Sequence, residues 1–173
     1  MNWKYLLPVV VFAPALALAQ GKPTDPQIAG IVVTANQIDI DAGKLAKSQS
    51  KNKEVHAFAQ QMITDHTAVN KQAGALAKKL GVKPEDSDTS KSLRQGAAEN
   101  VAHLKKLKGA QFDKAYIDHE VDYHQQVLDA IDKVLIPDAQ NKELKDVITK
   151  VRPAIATHLE HARHIQTSLA KKR

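Results

Sequence analysis

The chain has 173 residues, of which 43% are apolar, 25% charged and 4% aromatic, and its formal net charge is +6. That apolar content excludes a disordered chain, and the length suits one domain around one core. With no cysteine, disulfides, thiolate catalysis, iron–sulfur clusters and thiolate zinc sites are excluded, which leaves His, Asp, Glu, Lys and hydroxyl groups to carry any chemistry.

The first element in chain order is a leader. Lys4 gives a basic start, residues 5–19 are apolar, and Ala17-Leu18-Ala19 is a cleavage signature before Gln20. The apolar run is interrupted by Pro8 and Pro14 and falls short of the roughly 20 residues that span a bilayer. Residues 1–19 are therefore expected to be a signal peptide, 20–25 an N-terminal extension, 26–170 the folded domain and 171–173 a basic tail. The mature protein is expected in the periplasm. Cleavage removes Trp3, Tyr5 and Phe12, so the core must be built largely from small aliphatic side chains, the usual filling of a helix bundle.

Thr24-Asp25-Pro26-Gln27 combines a capping box with an early proline and predicts a helix over about 26–48. Asn52 caps a second helix that runs to Leu80 and stops at Gly81, with Pro84 beyond. Residues 82–90 are the most polar stretch and predict a mobile loop. Ser87 and Asp88 start a shorter helix to about Leu107, and Gly109 separates it from a fourth over about 110–135. Ile136-Pro137-Asp138 predicts the turn into a fifth helix, about 139–170, where Pro153 predicts a kink. Four long helices and one shorter one predict an all-α fold: an antiparallel four-helix bundle, the shorter helix lying in the connection between two hairpins.

Each long helix carries one polar residue in the middle of its apolar stripe. The second has His66 among Val55, Phe58, Met62, Val69 and Ala73; the fourth has His124 among Ile117, Val121, Leu128 and Ile131; the fifth has His158 among Val151, Ile155, Ala162 and Ile165. The first has Asp39 among Ile28, Val32, Ala35, Ala42 and Ala46, although Ile38 competes with it for the inward direction. Isolated polar groups in a core cost roughly 1–3 kcal/mol each, so four of them are expected to meet one another, a water or an ion. Neutral imidazole with a carboxylate suits zinc, copper, iron or nickel. His66, His124, His158 and Asp39 are the candidate metal ligands, with Asp65 beside His66 and Glu120 one turn before His124 as groups that hydrogen-bond and orient them. Axial distance counts against convergence: measured from the expected turns, the partners in each hairpin differ in height by roughly 8–12 Å. His161 is placed to assist His158, whereas His119, His164, His56 and His103 are not expected at the same point.

Ile38-Asp39-Ile40-Asp41-Ala42-Gly43-Lys44-Leu45-Ala46 and Val55-His56-Ala57-Phe58-Ala59-Gln60-Gln61-Met62-Ile63-Thr64-Asp65-His66-Thr67 resemble the first hairpin of a family of exported bacterial proteins. Phe112-Asp113-Lys114-Ala115-Tyr116 with Val121 and His124, then Pro153 and His158-Leu159 with Ala162, resemble its second. Members are domains of unknown function in the ferritin-like superfamily, often labelled outer-membrane proteins. The resemblance spans about residues 26–169 and implies a ferritin-like bundle in the cell envelope, with no established activity. Asp39 stands where the family commonly has Glu. No strand pattern supports an outer-membrane barrel.

Two functional readings follow. One is a periplasmic bundle that binds a divalent transition metal (zinc, copper or iron) through core His and Asp. The other is a non-catalytic structural or interaction module of the envelope whose buried His network holds no metal. A ferritin-like oxidase is disfavoured, because those centres use Glu-x-x-His motifs and the chain has none. The lysines at 44, 47, 51 and 53, at 105, 106 and 108, and the Lys171-Lys172-Arg173 tail are read as solvated, with weak attraction to anionic envelope components. Without interleaved aromatic residues they do not suggest nucleic acid.

Overall fold

A computed structural model describes residues 21–171; the expected signal peptide, its expected cleavage point and the last two residues of the basic tail lie outside the described residues. Five helices form: α1 (Asp25–Gln49), α2 (Lys53–Leu80), α3 (Asp88–Leu104), α4 (Gly109–Ala130) and α5 (Lys142–Lys171). No strand occurs among the described residues. α1 pairs with α2 and α4 with α5, while α3 packs on α1 and α4 in the connection between the hairpins. This is the ferritin-like antiparallel arrangement predicted. Among the described residues, no helix is long and apolar enough to cross a membrane.

The caps are those the sequence advertises. Thr24 accepts from the Gln27 amide, whose side chain returns the bond, and the Asn52 side chain accepts from the amides of Glu54 and Val55. Gly81 ends α2 at φ 64°, a left-handed conformation that glycine adopts without the Cβ penalty. Two expected boundaries are wrong. α3 stops at Leu104, not Leu107. α4 does not turn at Ile136-Pro137-Asp138: it continues through a π-helical turn, Ile131–Leu135, and a last helical piece, Ile136–Asp138. Pro137 falls directly after the π-helical turn, where the hydrogen-bond register of the helix changes, and one residue before the helix ends at Asp138. The true turn, Ala139 to Asn141, is held from outside: the Asp25 carboxylate accepts from the backbone N–H groups of Gln140 and Asn141, both at 2.8 Å. That contact ties the start of the first hairpin to the turn of the second. α5 runs unbroken through Pro153.

The loop expected to be mobile is tied to α1 instead. Glu85 donates its N–H to the Pro26 carbonyl at 2.9 Å, and its backbone lies so close to Gly30 that a Cβ there would come within 2.0 Å of the Glu85 oxygen. Gly30→Ala must therefore displace the loop, and a loss of about 1–3 kcal/mol is expected. Urea unfolding read by circular dichroism measures it; an unchanged midpoint would show that the loop does not depend on this approach.

The core divides along the bundle axis. One apolar cluster gathers Ala46, Val55, Phe58, Met62, Phe112, Tyr116, Ile117 and Ile165 at the α1–α2 turn end. The other gathers Ile28, Ile31, Leu128, Ile131, Leu135, Ile148, Ile155 and Leu159 towards the α4–α5 turn. Between them lies a layer of buried polar side chains.

Candidate metal centre

That layer contains Asp39, His66, Glu120, His124 and His158, all between 1% and 3% exposed. The three imidazole rings sit with centroids 5.2 Å (His66–His158), 5.5 Å (His124–His158) and 5.7 Å (His66–His124) apart. One potential ligand atom from each lies within 4.8 Å of the others, and the same holds for Asp39, Glu120 and His124. Ile38, the rival for the inward direction, is buried as well.

The expected axial mismatch closes for two reasons. Because α4 continues to Asp138 and α5 begins at Lys142, His124 and His158 stand at nearly equal distances from the real turn. In addition, Cα–Cβ bonds tilt towards a helix's N-terminus. In each hairpin the residue nearer the turn lies on the first helix and leans away from it. Its partner on the second helix leans back, so the two side chains converge.

Each ring has one nitrogen engaged and one free. His66 Nδ1 is 2.7 Å from Asn36 Oδ1, His124 Nδ1 is 2.9 Å from the Glu120 carbonyl oxygen, and His158 Nε2 is 2.9 Å from Asp65 Oδ2. The remaining atoms, His66 Nε2, His124 Nε2 and His158 Nδ1, are buried without a hydrogen-bond partner among the described residues, as are Asp39 Oδ1 and both Glu120 carboxylate oxygens. An acceptor on one side of an imidazole fixes its tautomer so that the opposite nitrogen presents a lone pair. Asp39 Oδ2 lies 3.5 Å from His66 Nε2, and Glu120 Oε2 lies 3.5 Å from His124 Nδ1.

Burial sets the charge states. It lowers His66 and His124 to about 3, each reinforced by its neighbouring rings. His158 is lowered by burial, opposed by Asp65. Burial raises Glu120 to about 8, and it raises Asp39 well above the usual carboxyl range, helped by the charge of Glu120. With nothing bound, the layer therefore holds neutral imidazoles and at least one protonated carboxyl near neutral pH. A cation would reverse the carboxyl preference, since it favours the ionised form.

Two expected supporting roles change. Asp65 pairs with His158 across the helix interface, not with its sequence neighbour His66. Glu120 orients His124 through its backbone carbonyl, which leaves its carboxylate beside Asp39 as a candidate ligand in its own right. His161 does not join the layer: its Nδ1 is bonded to Gln61 at 3.0 Å and its ring packs edge-on to Phe58. Asn36, which holds His66, is not among the residues that the apolar stripes pick out. Its position one turn before Asp39 and its poor fit to a helix interior were signals for it. Tyr123, which donates to the Ala35 carbonyl at 3.2 Å, closes the layer between α1 and α4.

Two solved structures share the fold. A DUF305 fragment from Deinococcus radiodurans superposes with a TM-score of 0.68 at 18% identity, covering 84% of this chain and 99% of its own. CopM in its Cu(II)-bound form gives 0.65 at 12% identity, covering 86% and 99%. No curated protein matches the sequence. The family model for the domain of unknown function DUF4142 matches residues 12–165, and the chain belongs to that family.

Proposed function

We propose that this protein binds one divalent transition-metal ion inside the bundle, with His66 Nε2, His124 Nε2 and His158 Nδ1 as nitrogen ligands and Asp39 and Glu120 supplying oxygen. The observation that carries this reading is a set of three buried ring nitrogens without a partner among the described residues, on rings whose centroids are 5.2–5.7 Å apart, while the other nitrogen of each ring is held. A purely structural network would have let these atoms bond to each other, because a buried polar atom without a partner costs about 1–3 kcal/mol. His124 belongs to both groups of candidate ligands, the three imidazoles and the set with Asp39 and Glu120, so the nitrogen and oxygen donors lie side by side. Imidazole and carboxylate without thiolate suit Cu(II), Zn(II) or Fe(II), and the Cu(II) carried by a neighbour in fold makes copper the first ion to try. The role is binding, buffering or sensing in the periplasm, consistent with the sequence's leader.

Metal analysis of tag-free protein, alongside His66→Ala, His124→Ala and His158→Ala, tests the reading. About one ion per chain in the wild type, lost in all three folded variants, is expected. A wild type that takes up neither copper, zinc nor iron would instead leave a metal-free structural module.

A further inference from the structure

The polar layer approaches the surface in two directions of opposite character. Towards α3 lies a cavity of about 70 Å³ that touches Asn36, Asp39 and His66, but whose other walls, Ile31, Val32, Leu93, Val127 and Ile155 among them, are mostly aliphatic. A hydrated cation gains nothing from such a surface and loses its water there. Towards the α2–α5 seam the layer ends on polar groups. The ring of His158 bridges the boundary: Nδ1 faces inward, and Nε2 meets Asp65. The Asp65 side chain is 42% exposed, against 4% for Asp39 and 1% for Glu120. Gln61 and His161 form a parallel bridge across the same seam, one turn of α2 away.

We propose that the α2–α5 seam is the port through which the metal cation enters and leaves, and that Asp65 is the first ligand it meets, with His158 as the gate. This rests on the proposed function above. On a chain of net charge +6, a cation is not drawn in by the overall field, so a local carboxylate at the mouth matters more. The cation reaches Asp65 in competition with His158 Nε2. Releasing that bond lets the ring turn and pass the ion to the inner nitrogens, and the Asp65 bond then re-forms behind it. Asp65 thus does two things: it orients His158 when the port is shut, and it captures the ion when the port opens.

Stopped-flow mixing of metal-free protein with Cu(II), followed by transfer of the bound ion to a chelator, separates these roles. Asp65→Asn keeps an acceptor for Nε2 but removes the charge. Its association rate is expected to fall about tenfold, with much of the salt dependence lost. Gln61→Glu adds a second carboxylate at the same mouth and is expected to raise the association rate several-fold at low salt, which marks the seam, and not the aliphatic cavity, as the path of entry. Association rates unchanged in both variants, with any weakening confined to dissociation, would overturn the port while leaving the binding site standing. A wild type that binds no Cu(II) would overturn both.

Discussion

Replacing His124 with Leu is expected to stabilise the metal-free protein by about 1–3 kcal/mol while abolishing its response to metal. The side chain is 1% exposed and its Nε2 has no partner among the described residues. The one bond it makes is to the Glu120 carbonyl, its own helix neighbour one turn back. Leu has a similar volume and leaves that carbonyl inside α4, where the backbone can satisfy it. The wild type behaves in the opposite way. An ion present at a thousand times its dissociation constant adds about 4 kcal/mol, or an upward shift of about 10 °C for a domain of this size. Urea and thermal unfolding of both proteins, with chelator and with Cu(II), provide the comparison. If His124 served only a structural network, the Leu variant would be less stable than the metal-free wild type, and copper would shift neither.

The second large effect is on pH. In the metal-free fold Glu120 has its pKa raised to about 8 from a usual 4.5, and Asp39 moves in the same direction. For such groups the folded state holds protons that the unfolded chain has released. Their contribution is complete below about 4.5 and is lost as pH rises towards 8. His66 and His124, lowered to about 3 from 6.5, work the other way: their contribution is complete above 6.5 and is lost as pH falls towards 3. Between about 4.5 and 6.5 the two sets oppose each other, so metal-free stability should be flattest there and decline on both sides. From pH 6.5 to 8 the fall expected from Glu120 alone is about 2 kcal/mol. Glu120→Gln, which has no proton to lose, should show a shallower alkaline limb. Metal binding needs the carboxylates ionised and releases their protons, so the metal-induced shift should grow over the same interval. Unfolding midpoints from pH 4 to 9, with and without Cu(II), give both curves. An alkaline limb equally steep in Glu120→Gln would remove Glu120 as its source.

Asp65→Asn and Gln61→Glu bear on a separate question. They lie at the surface end of the layer, and Asp65 remains partly solvated. Their effect is therefore expected on rates of uptake, whereas substitution of His124 acts on stability and on whether an ion is held at all.

Much of this molecule could be read from the order of its residues. The capping box at Thr24, the Asn52 cap, the Gly81 stop and the three-and-four spacing of aliphatic side chains fix where α1 and α2 run, because these signals act within one or two turns of the chain. The same periodicity gives the direction each side chain takes about its own helix axis, which is why His66, His124, His158 and Asp39 stood out as inward-facing. Periodicity carries no information on how far one helix slides along another. That depends on the turn at Ala139 to Asn141, the π-helical turn before it and the Asp25 carboxylate that holds it. These features set the heights at which the rings meet. Pairings that follow from packing were equally out of reach: Asp65 with His158 is separated by 93 residues and Asn36 with His66 by 30. The sequence alone determined the helices, their buried faces and the residue types offered to the core. Tertiary packing decided that three imidazoles and two carboxyls share one layer, and which nitrogen of each ring is left free, because axial offset and side-chain partners arise only when the hairpins dock.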